Sequence, residues 1–251
     1  IADLGVALTQ GFCYQGQWSR HRQRPRGQTS GHLPMTAFVN FLQNHDQVGN
    51  RAFGERLSML VAENRLAAAV AILLLAPSPP LLIMGEEWGA RTPFAFFCDF
   101  GGDLAAAVRE GRRREFSKFP EFVSPALRDA IPDPNDVATF KTCRLDPQGA
   151  SRPEIGALYE RLLHLRHQEI IPRLGEALPV VATYSVAGAQ LIVRWQWADN
   201  TGLELIANLS TGGARLPPLP AGWRTIWGED GLSGGDRRSG AGVGRSGDDR
   251  R

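Results

Sequence analysis

The chain has 251 residues, 43% hydrophobic and 22% charged, the balance of an ordinary globular protein with room for one large domain or a domain plus a small one. A net charge of +2 argues against a nucleic-acid-binding surface or a trap for acidic substrates, and the longest apolar run, Leu66 to Ala76, is too short to cross a bilayer. Three widely spaced cysteines (Cys13, Cys98, Cys143) make no disulfide framework, and no basic stretch followed by an apolar one opens the chain, so a cytoplasmic setting away from membranes is expected.

Lys118 and Lys141 are the only lysines among 28 basic residues, which reads as genome composition before function. Residues 18–32 are basic, punctuated by Pro and Gly and without a period, so they predict a long surface loop. Ala37 to Leu42 is a short apolar run rich in aromatic and branched residues, a buried strand that ends in the polar burst Gln43-Asn44-His45-Asp46-Gln47. Residues 63–76 are Ala/Leu-rich and long enough for a helix that Pro77, Pro79 and Pro80 stop. Leu81 to Met84 predicts a second strand, closed by Gly85. Strand, polar loop, helix, strand, polar loop is the βαβ order of a parallel sheet.

Residues 101–150 are charged and Pro-rich with no clear period. Ser151-Arg152-Pro153-Glu154 then reads as a capping box opening an amphipathic helix with Ile155, Leu158, Tyr159, Leu162 and Leu165 on one face, ending before Pro172. From Leu178 the texture becomes alternating. Leu191, Val193, Trp195 and Trp197 face one way, Asp199 to Gly202 turn the chain, and Leu203, Leu205, Ala207 and Leu209 return as the second arm of a hairpin. Residues 231–251 hold little to bury and are expected to be disordered.

Phe38 to Arg51, with QNHDQVGNR at its centre and Gly54-Glu55-Arg56-Leu57 following, resembles the fourth signature region of the α-amylase superfamily (glycoside hydrolase family 13), and the longer form resembles its maltooligosyl trehalose trehalohydrolase branch. Two further stretches resemble the same branch: Leu82 to Asp99, with Met84-Gly85-Glu86-Glu87-Trp88 and Thr92-Pro93-Phe94, and Arg109 to Phe116. The resemblance runs from about residue 5 to about residue 210. It implies an α/β fold: the C-terminal portion of a (β/α)8 TIM barrel over residues 1–176, a small antiparallel β-sandwich over 177–230, and the tail 231–251. Residues 1–176 are too few to close a barrel of roughly 250 residues, so the chain is expected to be a fragment.

Retaining glycosidases need a nucleophilic carboxylate and an acid/base carboxylic acid about 5–5.5 Å apart. Neither of the family's motifs for them, Gly-x-Arg-x-Asp-Ala and a strand ending in Glu, appears before residue 38, so the fragment is expected to be inactive alone. The resemblance implies that Asp46 is the third carboxylate, the stabiliser of the oxocarbenium-like transition state, and that His45, Asn44, Gln47, Arg51, Glu87 and Trp88 bind substrate. The implied reaction is hydrolysis of the α-1,4 bond next to the terminal trehalose of maltooligosyl trehalose, in trehalose biosynthesis, with no metal and no organic cofactor. The implied partner is that α-glucan oligosaccharide; nothing in the sequence sets an oligomeric state.

Simpler readings compete at each position. Asn44 or Asp46 could do no more than cap a helix start. Glu86 and Glu87 are consecutive and point apart at a strand end, so one should meet the pocket and the other an arginine. Trp88, Phe94, Phe96 and Phe97 suit sugar stacking or core packing equally. The arginines at 20, 22, 24 and 26 suit a solvated loop near the substrate cleft better than a nucleic-acid patch, and His164 with His167 lacks a third metal ligand. A branching or debranching relative, or a glucan-binding remnant without catalysis, are the alternatives for the whole chain.

Overall fold

The computed structural model describes residues 1–146, 152–174, 181–212, 217–218, 220–228 and 241–246. In chain order the elements are helix α1 (Ala2–Gln10), the short strands β1 (Trp18–Ser19) and β2 (Arg24–Pro25), and helices α2 (His45–Gly49), α3 (Leu57–Leu60) and α4 (Glu63–Leu75). Helices α5 (Gly102–Phe116), α6 (Pro125–Asp129), α7 (Val137–Thr142) and α8 (Pro153–Leu165) follow. Strands β3 (Val181–Ala187), β4 (Gln190–Gln196), β5 (Gly202–Asn208), β6 (Trp223–Trp227) and β7 (Ala241–Ser246) complete the set. The chain divides into two compact units, one of Ile1–Asn40, Ala67–Leu81 and Leu158–Arg251, the other of Phe41–Leu66 and Leu82–Ala157.

The first unit is built on an antiparallel five-stranded sheet, order β3-β4-β5-β7-β6. The alternation read from the sequence sets its central register: Leu191 pairs with Ala207, Val193 with Leu205 and Trp195 with Leu203, all buried. Asp199 accepts from the Thr201 amide at 2.9 Å and Asn200 takes a left-handed φ of 65°, which closes the turn between β4 and β5. A sandwich was expected, but among the described residues this unit holds one large sheet. Helix α1 packs on β3 and β4, and its Leu8 carbonyl accepts from the Trp195 indole nitrogen at 3.0 Å. Gly5 permits that approach: a Cβ there would meet the Tyr184 ring at 2.3 Å.

The expected disorder of the tail fails for residues 241–246, which form β7 between β5 and β6. Backbone pairing on both sides needs no apolar side chain, which is why a Gly-rich segment can be a strand. Residues 231–240 and 247–251 lie outside the described residues.

The two predicted parallel strands are also shorter than expected. They reduce to one parallel bridge, Asn40 to Pro80, with the Asn40 amide on the Pro79 carbonyl at 2.9 Å and the Leu81 amide on the Asn40 carbonyl at 2.8 Å. Prolines at 79 and 80 have no N–H to extend a ladder, and one parallel pair without flanking strands is weak. Between the bridged segments runs α4, as the sequence predicts, and Val70 to Ala76 are buried on every side. Its C-terminal end is closed by Arg166, in the π-turn after α8. Arg166 donates to the carbonyls of Leu74 (2.9 Å), Ala76 (2.6 Å), Pro77 (3.2 Å) and Ser78 (3.0 Å). Residues 18–32, expected as a loop, carry the small β1–β2 hairpin and are otherwise mostly exposed.

The second unit is helical. Residues 101–150 were read as lacking a period, yet α5, α6 and α7 lie there. A small core of Ala52, Phe116 and Ile131 has Phe53 and Phe122 packed against it. Arginines of α5 add polar contacts: Arg109 pairs with Asp133 at 3.3 Å, and Arg113 donates to the Asp129 carbonyl at 3.4 Å. Ser151 of the expected capping box lies outside the described residues; α8 starts at Pro153. No helix among the described residues is long and apolar enough to cross a membrane.

Candidate active site

The polar segment Asn44–Arg51 forms α2 and its C-terminal turn. Asn44 is extended (φ −137°) and its side chain accepts from the Gln47 amide at 2.9 Å, which makes it the N-cap. His45 and Asp46 therefore occupy the first helical turn, where an acid suits the positive end of the helix. Their side chains approach within 3.5 Å (His45 Nε2 to Asp46 Oδ1) and stand 73% and 74% exposed. Gln47 is also exposed, and Arg51 pairs with Glu55 at 3.3 Å.

The other expected site residues, Glu87 and Trp88, lie on a 3₁₀ turn, Glu86–Trp88, bracketed by two left-handed glycines, Gly85 (φ 85°) and Gly89 (φ 67°). Both φ values lie where a side chain is strained, so this sharp turn needs glycine at each end. Glu86 turns inward and accepts the Ile83 amide at 3.1 Å. Glu87 is half-buried, with its Oε2 enclosed and unpaired, and the Trp88 carbonyl accepts from the Arg152 amide at 3.1 Å. Of the nearby aromatics, Phe94, Phe97 and Phe140 pack edge to face at 5.8 and 5.2 Å, while Phe97 and Phe140 remain exposed.

Sequence reasoning missed the residue that joins the two segments. Arg56 is 1% exposed; its Nε donates to the Thr92 carbonyl at 2.7 Å and its Nη1 to the Met84 carbonyl at 2.8 Å. Burial lowers the affinity of this guanidinium for its proton, and Glu86 and then Glu87 act against that. Glu86 and Glu87 both lie in the field of Arg56. One residue on, the Leu57 amide donates to the buried Gln43 side chain at 2.9 Å, and the Phe94 amide donates to the Gly54 carbonyl at 2.8 Å. The loop that follows each bridged segment is thus tied to the other by backbone and buried polar contacts. Arg56 stands within the quoted Gly-Glu-Arg-Leu, but an arginine at a helix start reads as solvent-exposed, and its burial leaves no periodic trace.

Among the described residues no group of three or more His, Cys, Asp or Glu side chains is placed to hold a metal ion. What the arrangement offers is an exposed imidazole–carboxylate pair on a braced turn, with an enclosed carboxylate on a second turn tied to it.

Comparison with known proteins agrees with these features. The family described as "Domain of unknown function (DUF3459)" matches residues 181–246, the span of the sheet. The malto-oligosyltrehalose trehalohydrolase of Arthrobacter ramosus is 42% identical over 173 residues, 67% of this chain and 29% of that protein. The one from Deinococcus radiodurans is 39% identical over 175 residues, 66% of this chain and 28% of that protein. The one from Brevibacterium helvolum is 35% identical over 225 residues, 86% of this chain and 36% of that protein. The chain thus spans about a third of the length of the curated relatives it matches. A solved structure of a candidate α-amylase from Salmonella typhimurium superposes with a TM-score of 0.83 at 39% identity, covering 97% of this chain and 41% of that one. Over the residues it shares with these proteins, the chain is similar to malto-oligosyltrehalose trehalohydrolases and to a solved candidate α-amylase.

Proposed function

We propose that these residues form part of a retaining glycoside hydrolase that cleaves the α-1,4-glucosidic bond next to the terminal trehalose of maltooligosyl trehalose. Residues 1–176 would be the last part of its (β/α)8 barrel and residues 177–230 its C-terminal β domain. The parallel Asn40–Pro80 bridge with α4 between its halves supports the barrel reading, because each bridged segment runs directly into a loop bearing polar residues. The free thiols of Cys13, Cys98 and Cys143 suit the reducing cytoplasm.

In this reading Asp46 meets positive charge as the oxocarbenium develops, and His45 hydrogen-bonds the same sugar. Asn44, Gln47, Arg51, Glu87 and Trp88 position the oligosaccharide. The nucleophile and acid/base would come from outside these 251 residues, which therefore should not release trehalose by themselves. The observation that carries the reading is the Asp46 carboxylate: it is exposed on a braced turn and takes no part in capping.

A carboxylate that acts on the transition state changes kcat more than ground-state binding. Asp46→Asn in the full-length enzyme should lower kcat by about 10²–10³, with KM moving much less. Initial rates of trehalose release from a maltooligosyl trehalose of defined length measure both. An unchanged kcat would remove Asp46 from the reaction.

A further inference from the structure

Helix α2 has five residues, too few to hold itself together in water. Its front end is closed by Asn44 and its back end needs partners for carbonyls that the helix itself leaves unpaired. Arg112, on the fifteen-residue α5, supplies them: its Nη2 donates to the Gly49 carbonyl at 3.1 Å and to the Arg51 carbonyl at 3.3 Å. A cation at this end also complements the helix dipole.

Arg112 is itself held in place. Its guanidinium lies over the Phe96 ring at 4.9 Å from the centroid and over the Phe116 ring at 5.4 Å, and Phe116 belongs to the small core of the unit. The line of support runs from that core through Phe116 and Arg112 to the last turn of α2. It continues to the first turn, because the Asn50 amide donates to the Asp46 carbonyl at 2.9 Å.

We propose that Arg112 is a positioning residue: it fixes the back of α2 so that the Asp46 carboxylate at the front keeps one place and orientation. It touches no reacting atom in this reading. The inference rests on the function proposed above, since only a residue whose position matters to the reaction needs such bracing. It also accounts for the Arg109–Phe116 stretch, which that function leaves unused. Of its four arginines, Arg109 and Arg113 serve residues 129–133 while Arg112 turns to α2. Lysine could not replace it, having no planar face to lie on the Phe96 and Phe116 rings. Burial lowers the affinity of the guanidinium for its proton and Glu115 opposes this, in keeping with a group placed for geometry rather than solvation.

Arg112→Lys tests this in two ways. In the full 251-residue chain, amide hydrogen exchange at Asn50 and Arg51 should speed up about tenfold or more, with the amides of α5 unchanged. In the full-length enzyme, kcat should fall about tenfold or more while KM changes less than about threefold. Phe96→Leu, which removes one ring and keeps the hydrogen bonds, should shift both readouts in the same direction by a smaller factor. Unchanged exchange at Asn50 and Arg51 would overturn the proposal, and so would faster exchange with kcat intact, since Arg112 would then be only a structural brace. If Asp46→Asn itself leaves kcat unchanged, the proposed function fails first. If Asp46→Asn is impaired and Arg112→Lys is not, this inference alone fails.

Discussion

The Asn44 side-chain oxygen accepts the backbone amide of Gln47 at 2.9 Å, so the first turn of α2 is closed by Asn44 and not by the acid two residues on. Capping and charge therefore sit on different side chains and can be removed one at a time. Asn44→Ala should destabilise the protein by about 1 kcal/mol, and Asn44→Asp should be close to neutral. Asp46→Asn should cost no more than about 0.5 kcal/mol, the scale of an exposed acid at a helix start. Urea unfolding of the three variants checks the order; a larger loss for Asp46→Asn than for Asn44→Ala would mean that Asp46 is structural.

Arg56 should be among the least replaceable residues of its unit. Arg56→Met fills much the same volume but leaves the Thr92 and Met84 carbonyls without their donor. Each buried acceptor so stranded costs about 1–3 kcal/mol. The expected outcome is a fall of several degrees in melting temperature, with Arg56→Lys intermediate. A variant melting with the wild type would show that the two loops hold together without it.

Arg166 makes a parallel case in the other unit. Four carbonyls at and beyond the end of α4 depend on its guanidinium. Arg166→Met should destabilise by about 3 kcal/mol, the scale of breaking a buried charged contact, and limited proteolysis should then cut near residues 74–78. Unaltered cleavage kinetics would argue against the cap.

Acid should weaken the α5 anchor through Asp133. Burial raises the affinity of its carboxyl for a proton, but hydrogen bonds from the Asn135 amide, Arg109 and the Asn135 side chain outweigh it and hold the group below its ordinary value. A carboxyl depressed in the folded state contributes stability above its unfolded pKa, near 3.9, and loses it as pH falls through the folded value. Wild-type protein should therefore lose stability below about pH 4 more steeply than Asp133→Asn. Parallel urea titrations between pH 5 and 3 measure the difference; identical slopes would discount the Asp133–Arg109 pair.

Where burial was apolar and periodic, the sequence made the fold readable. The β4–β5 register follows from Leu191, Val193 and Trp195 against Leu203, Leu205 and Ala207, and α4 and α8 stand where their patterns put them. Elements held by other means were hidden. Helix α5 carries arginine contacts, β7 is paired through its backbone on both sides, and the loops are held by Arg56 and Gln43. None of these leaves a hydrophobic repeat. The candidate site was legible as a motif, from His45-Asp46 to Glu87-Trp88, while the residues that brace it were not, because an inward arginine has the same letter as a solvated one.

The Asn40–Pro80 bridge carries one more consequence. In a parallel pair, the acceptor at Pro79 and the donor at Leu81 both face Asn40, so the nitrogen and carbonyl of Pro80 face the opposite flank. That flank offers an oxygen and no N–H. A strand laid along it could give a hydrogen bond at this position but could not receive one, and a pairing begun there would be short of a rung from the start. At Pro80 the segment is polarised across its width: it makes both bonds to Asn40 on one flank and can only accept on the other.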